Sequence, residues 1–391
     1  MVKRNIAVVL FNIGGPEKLD QVRSYLFNFF SDKFIIRAPF LIRKLIAFLI
    51  STFRSSKTKS IYSQIGGKSL SSMNALNQSN KLEEILNQNN DIFSYKTYIC
   101  MSYWGMTREK TMMNIFNDNQ ELKFEKIIYL PLYPQFSTTT TLSSFFYFQK
   151  ELSKKKFIDL KNSIKQKFIC CYFQEPSFID AHCDLLSIKI KEAFELFEEK
   201  KDEENINSIR ILFSAHSIPE KLTYSKEKNG QGDPYKFQIE QTVNEIMKKI
   251  NTKFNTIDYF DYKISYQSKI GPVKWLEPST ENEIIECYKQ RIMPIIVPIA
   301  FTSDNSETLY ELDIEYKDLL NSNGMKYFFR SDALNINDKF IFSLKNMVEK
   351  ANKDESDENF INSYDNVEKK EYHCPCSEDF FSCPKRKNKI Q

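Results

Sequence analysis

The sequence predicts an α/β protein built from two doubly wound domains with parallel sheets. Three observations predict it. Short unbroken apolar runs recur at Ile6–Leu10, Ile127–Leu130, Ile211–Phe213 and Ile292–Ile299, as suits strands buried on both faces. Helical apolar spacing fills the intervals between them. The length, 391 residues, exceeds one domain of about 150 residues and gives room for two such sets.

In chain order, the first run leads into Gly14-Gly15-Pro16, a turn signal. The run Ile6–Ile13 is too short to span a bilayer and has no small-residue cleavage site, so neither a signal peptide nor a presequence is expected, and the expected compartment is the cytoplasm. Residues 34–56 read FIIRAPFLIRKLIAFLISTFRSS, and ten of the fourteen positions from Phe40 to Phe53 are Phe, Leu, Ile or Ala. With Arg43 and Lys44 inside it, this segment fits an amphipathic helix or hairpin lying on a bilayer or over an apolar ligand. It fits a core helix of the first domain equally well. Further helical patterns fall at Leu82–Leu86, from Ser177 toward Glu199, at Phe237–Ile250 and at Glu307–Leu320. The polar stretch Lys200–Asn207 reads as an exposed turn. From about residue 351 the periodicity is lost, which predicts a polar tether. No internal repeat is visible.

Composition excludes several classes. Lys+Arg 55 against Asp+Glu 51 leaves a net charge of only +4, without the dense basic face that a nucleic acid partner requires. Apolar residues at 41% and charged residues at 27% are those of a globular chain. Five of the eight cysteines (Cys100, Cys170, Cys171, Cys183, Cys287) are scattered, as expected of small buried residues in a reducing compartment. The other three crowd the end of the chain, in His373-Cys374-Pro375-Cys376 and Cys383-Pro384.

Only three histidines exist: His182, His216 and His373. His216 directly follows a strand, and open α/β sheets bind ligands beyond the carboxyl ends of their strands. There an imidazole can serve as general base or metal ligand; a structural histidine is the plainer alternative. After the strand Ile292–Ala300, Ser303 or Asp304 is a plausible N-cap. Glu307, Glu311 and Glu315 then recur at four-residue spacing. Such a ladder is either a solvated face or a device that collects cations or moves protons. Gly14-Gly15 is not the dinucleotide fingerprint. The hydroxyl run Ser137–Thr141 reads as an anion-binding turn or simply a helix start.

Six segments carry a resemblance: LFNIGGPE (10–17), IYSQIGGKS (61–69), LPLYPQFSTTTT (130–141), ILFSAHSIP (211–219), YQSKIGPVKWLEPST (266–280) and PIAFTSDNSETLYELDIEY (298–316). In order and spacing, from about residue 5 to 345, they resemble the ferrochelatases. The resemblance implies two Rossmann-like domains of the chelatase fold with a porphyrin cleft between them. The corresponding division is 1–175 with an apolar lip at 34–56, 176–330, a helix at 331–350 returning to the first domain, and a polar tail at 351–391 carrying the cysteines. It implies a lyase-class metal chelatase that inserts Fe²⁺ into protoporphyrin IX, the last step of haem synthesis. Coproporphyrin III is the alternative substrate, and a non-catalytic porphyrin- or haem-binding protein the alternative function.

Position by position, His216 matches the family's catalytic histidine and Glu307 its acidic partner, the pair at which Fe²⁺ is handled. Asp304, Glu311 and Glu315 match the proton or iron path. Arg54, Tyr62, Ser69, Trp275 and Ile13 match porphyrin contacts. The lip implies a chain peripheral to the inner membrane, and a homodimer is also implied. Three closely spaced cysteines suit Fe–S or Zn ligation, reactive or disordered thiols being the plainer alternative; the resemblance implies a [2Fe–2S] cluster on Cys374, Cys376 and Cys383, with Cys183 as fourth ligand and His373 or His182 as substitutes. Two positions depart from the family: Asn305 stands where a histidine is usual, and Ser102 where an arginine is usual. The chemistry agrees with this reading. A porphyrin must bend and lose two N–H protons, so one face needs a base. Imidazole and carboxylate hold Fe²⁺ loosely enough to release it, and cationic and hydroxyl groups at the mouth suit the propionates.

Overall fold

The computed structural model describes residues 3–203, 205–226, 229–254, 260–356 and 359–387. The chain forms two compact units. One comprises Met1–Tyr172 with Ile341–Ser377 and the residues from Pro384; the other comprises Phe173–Phe340 with Glu378–Cys383.

The first unit is built on strands β1 (Arg4–Asn12), β2 (Phe93–Met101), β3 (Lys126–Pro131) and β4 (Lys165–Cys171). A short late strand, Phe360–Asn362, completes its sheet. The order is β2-β1-β3-β4 and then this late strand, and every pairing is parallel. β1 lies between β2 and β3, with Val8 opposite both Thr97 and Ile128. Ile6 through Phe11 are buried, which explains the unbroken apolar run. Some of the chain's 33 phenylalanines pack here. Tyr129 stacks on Phe168 at 4.3 Å between centroids, and Phe148 meets Tyr129 edge-on at 5.3 Å.

The C-terminal region departs from the expected polar tether. The Phe360–Asn362 strand pairs with β4, with Phe168 opposite Phe360. Two buried ion pairs fasten this region. Lys167 meets Asp354 at 2.6 Å, and Lys385 meets Asp365 at 2.7 Å. Asp365 also accepts from the backbone N–H groups of Asn362 and His373. Three residues are too few to show a period, so the pattern could not reveal this strand.

The second unit holds β5 (Ser208–His216), β6 (Phe260–Gln267), β7 (Ile292–Pro298) and β8 (Phe329–Arg330). With the late strand numbered β9, the order here is β6-β5-β7-β8, again wholly parallel. Each unit thus places its second strand, first, third and fourth side by side. This repeat of topology leaves no trace visible in the sequence, because many apolar residues satisfy a buried strand equally well. The helix Pro176–Lys200 opens with Pro176 in its first turn, and the Glu175 carboxylate accepts from the Phe178 N–H at 2.8 Å. The carboxyl ends of β5 and β6 carry His216 opposite Gln267.

Candidate active site

His216 is the last residue of β5 and is partly buried. Its ring stands nearly perpendicular to that of Phe301, 6.4 Å between centroids. Its backbone carbonyl accepts from the Tyr235 hydroxyl at 3.0 Å. Burial lowers the imidazole pKa, and the Glu307 carboxylate opposes that shift. A neutral ring that can take a proton, with an anion near enough to stabilise the resulting cation, is the arrangement a general base requires.

Residues Glu307–Glu315 form a π-helix that passes into an α-helix at Tyr316–Ser322; the sequence pattern had predicted one continuous α-helix. π-turns inside helices are rare and concentrate at functional sites. Asn305 starts this turn, its Oδ1 accepting from the N–H groups of Glu307 (2.9 Å) and Thr308 (3.1 Å). Ser306 Oγ donates to Glu307 Oε2 at 2.9 Å. Glu311 Oε2 accepts from Gln267 Nε2 at 3.0 Å and from Ser268 Oγ at 2.6 Å. Burial, followed by the neighbouring Glu307, raises the Glu311 carboxyl to about 8, against those two hydrogen bonds. Glu315 is exposed. Asp304 accepts from Thr308 Oγ1 (2.9 Å), Asn335 Nδ2 (2.8 Å) and Arg330 (3.2 Å). Arg330 also forms a bidentate pair with Asp313. Asp304 therefore anchors the start of the turn. Trp275 bridges to Pro219 through the backbone, and its indole N–H is buried without a partner among the described residues.

In the first unit, the loop after β1 gathers three of the expected porphyrin contacts. A Cβ on Gly15 would lie 2.4 Å from Ser69 Oγ, too close to fit, and 3.6 Å from the Tyr62 hydroxyl, an ordinary contact, so glycine lets Ser69 close over the turn beside Tyr62. Ser69 N–H donates to the Pro16 carbonyl at 2.7 Å. Ile13 sits in the same turn and accepts through its carbonyl from Tyr103 N–H at 3.1 Å. Arg54 lies two turns earlier than Tyr62 on the helix Phe40–Gln64 and is partly exposed. Ser102 is buried and bonded to Ser144 at 2.9 Å.

The ferrochelatase family model matches residues 5–352. The chain belongs to the ferrochelatase family. It is 43% identical over 359 residues to the ferrochelatase of Rickettsia bellii, covering 91% of this chain and 90% of that one. It is 37% identical over 374 residues to that of Pelagibacter ubique (95% and 98% covered), and 40% identical over 341 residues to that of Wolbachia from Drosophila simulans (87% and 98% covered).

The family-model match ends at residue 352, before the three C-terminal cysteines. The thiols of Cys374, Cys376 and Cys383 lie within 4.8 Å of one another. Three converging thiolates suit a soft metal centre. Cys183, the expected fourth ligand, is not in this group. It is buried in the helix Pro176–Lys200 with its Sγ 3.8 Å from the Ile246 carbonyl, and burial pushes its thiol up to about 12. His182 is buried beside Phe178, its imidazole lowered to about 3 by burial. His373 also lies outside the group.

Three residues that bond to the candidate site escaped the sequence reading: Gln267, Ser268 and Tyr235. Gln267 and Ser268 stand in the YQSKIGP segment that carried the resemblance, but a glutamine and a serine after a strand show no role until their partner is known. Asn305, which stands where the family usually has a histidine, starts the π-turn here.

Proposed function

We propose that this chain inserts Fe²⁺ into protoporphyrin IX, releasing two protons and forming haem. The observation that carries the proposal is the pairing of a recessed, low-pKa His216 with Glu307 at the carboxyl end of a parallel sheet. His216 accepts a pyrrole proton when the ring bends. Before that transfer the neutral His216 imidazole and Glu307 give Fe²⁺ ligands weak enough to surrender it to four pyrrole nitrogens, and Glu307 then stabilises the imidazolium. Glu311 and Glu315 lead protons away from Glu307 toward solvent, and Asp304 holds that helix in place. Arg54, Tyr62 and Ser69 take the propionates, while Ile13 and Trp275 supply apolar contact to the ring.

Helix Phe40–Gln64 exposes Phe40, Leu41, Ile42, Leu45, Phe48, Leu49 and Phe53. No helix among the described residues is long and apolar enough to cross a membrane. This helix resting on a bilayer surface, where the apolar porphyrin partitions, is the reading we favour. Cys374, Cys376 and Cys383 are the residues that would hold a [2Fe–2S] group, which would supply one-electron redox chemistry when bound; the insertion itself transfers no electron. The test is anaerobic insertion of Fe²⁺ into protoporphyrin IX and coproporphyrin III in parallel, read as haem absorbance. Faster turnover of protoporphyrin supports the proposal; preference for coproporphyrin overturns its substrate, and no turnover of either overturns the activity.

A further inference from the structure

The short segment between Cys376 and Cys383 is docked, not free. Phe380 lies against Phe237 at 5.3 Å between centroids. Ser382 N–H donates to the Gly232 carbonyl at 3.3 Å, and Ser382 Oγ donates to the Gln231 carbonyl. Gly232 has φ +55°, and a Cβ there would lie 2.3 Å from the Asp379 carbonyl oxygen and 2.7 Å from Phe381 N. The tail backbone and this glycine are therefore mutually fitted.

The loop that receives the tail leads straight to the base. Asp233 is fully buried, its N–H donates to the Leu222 carbonyl at 2.9 Å, and its Oδ1 accepts from Tyr235 N–H at 3.0 Å. Tyr235 is itself buried, and its hydroxyl donates to the His216 carbonyl at 3.0 Å. Beyond His216 the chain leaves the sheet, with Ser217 N–H still paired to the Gln267 carbonyl at 2.9 Å. The Tyr235 bond thus restrains the end of β5 from outside the sheet, at the backbone of His216 itself. Phe237, which meets the tail, is two residues further along the helix Tyr235–Phe254.

We propose that Tyr235 is a positioning residue for His216, and that the docked segment Glu378–Cys383 holds Tyr235 in place. The tail then sets the orientation of the base through a physical chain of Phe380, Phe237, Gly232 and Tyr235. Whatever state the bracketing thiols of Cys376 and Cys383 are in bears on His216 by this route. The kinetic arm of the test rests on the insertion activity proposed above; the reactivity arm does not.

The full chain is compared with Tyr235→Phe, Phe380→Ala and the double variant. Carbethoxylation of each histidine by diethyl pyrocarbonate is followed by peptide mass spectrometry. His216 should react faster by about threefold or more in both single variants, while buried His182 stays protected. Porphyrin insertion should lose about tenfold in kcat with Tyr235→Phe and less with Phe380→Ala, at nearly unchanged KM, since misplacement of a base spares binding. The double variant should be no worse than Tyr235→Phe alone, because residues on one route are not additive. Unchanged His216 reactivity in both single variants, or strictly multiplicative losses in the double variant, would overturn the proposal. If the parent chain inserts no metal but His216 reactivity still shifts, the positioning role stands and the assigned activity falls. Phe380→Leu, which keeps an apolar contact, should restore most of the protection; failure to do so counts against the route.

Discussion

Gln267 fastens the acidic π-helix to the sheet: its Nε2 lies 3.0 Å from Glu311 Oε2 and 3.0 Å from the Glu307 carbonyl oxygen. Its Oε1 accepts from Ser214 Oγ at 2.6 Å, and the side chain is almost wholly buried. Replacing it with leucine takes a donor from the Glu311 carboxylate and the Glu307 carbonyl, and an acceptor from Ser214 Oγ. Gln267→Leu should lower the unfolding free energy by about 2 kcal/mol, read from urea denaturation.

Glu311 makes stability fall with rising pH. Its carboxyl titrates near 4.5 when unfolded and is raised to about 8 when folded. Between those values the folded chain holds the extra proton, so its advantage is full below pH 4.5 and is lost as pH climbs through 8. Glu311→Gln keeps a neutral side chain at all pH values. Urea midpoints at pH 6 and pH 9 should therefore differ more in the parent than in the variant. Equal differences would show that Glu311 ionises without penalty.

The Lys167–Asp354 pair anchors the chain just beyond the helix Asp338–Lys353, at side-chain exposures of 4% and 1%. Asp354 Oδ1 also accepts from the Tyr372 hydroxyl at 2.6 Å. Breaking one member of a buried pair strands the other charge. Asp354→Asn should cost about 3 kcal/mol, and limited proteolysis should then cut first in the C-terminal region.

Leu41 and Phe53 are the most exposed large apolar residues of the helix Phe40–Gln64, at 77% and 79%. Leu41→Ser with Phe53→Ser should weaken binding to phospholipid vesicles by about tenfold or more. Thermal stability should barely change, since neither side chain is buried. Equal sedimentation of parent and variant with vesicles would place the bilayer contact elsewhere.

Much of the fold was legible, but unevenly. β1, β3, β5 and β7 announce themselves because each is buried on both faces and reads as an unbroken apolar run. β2 (FSYKTYICM) and β6 (FDYKISYQ) interleave polar with apolar residues, so they carry no unbroken apolar run, only the weaker alternation of a half-buried strand. His216, at the end of β5, and Glu307, at the start of the helix after β7, were legible as candidate site residues. The π-turn was not, since a four-residue acidic spacing satisfies an α-helix as well. Nor was Tyr235, whose role lies in one hydroxyl reaching a carbonyl nineteen positions away.

The most direct test of the account is loss of porphyrin fluorescence on anaerobic addition of Fe²⁺, comparing the parent chain with His216→Ala. The account predicts rapid loss in the parent, and a rate lower by about 10²-fold or more in the variant with porphyrin affinity retained. Insertion at the parent rate by His216→Ala would contradict it.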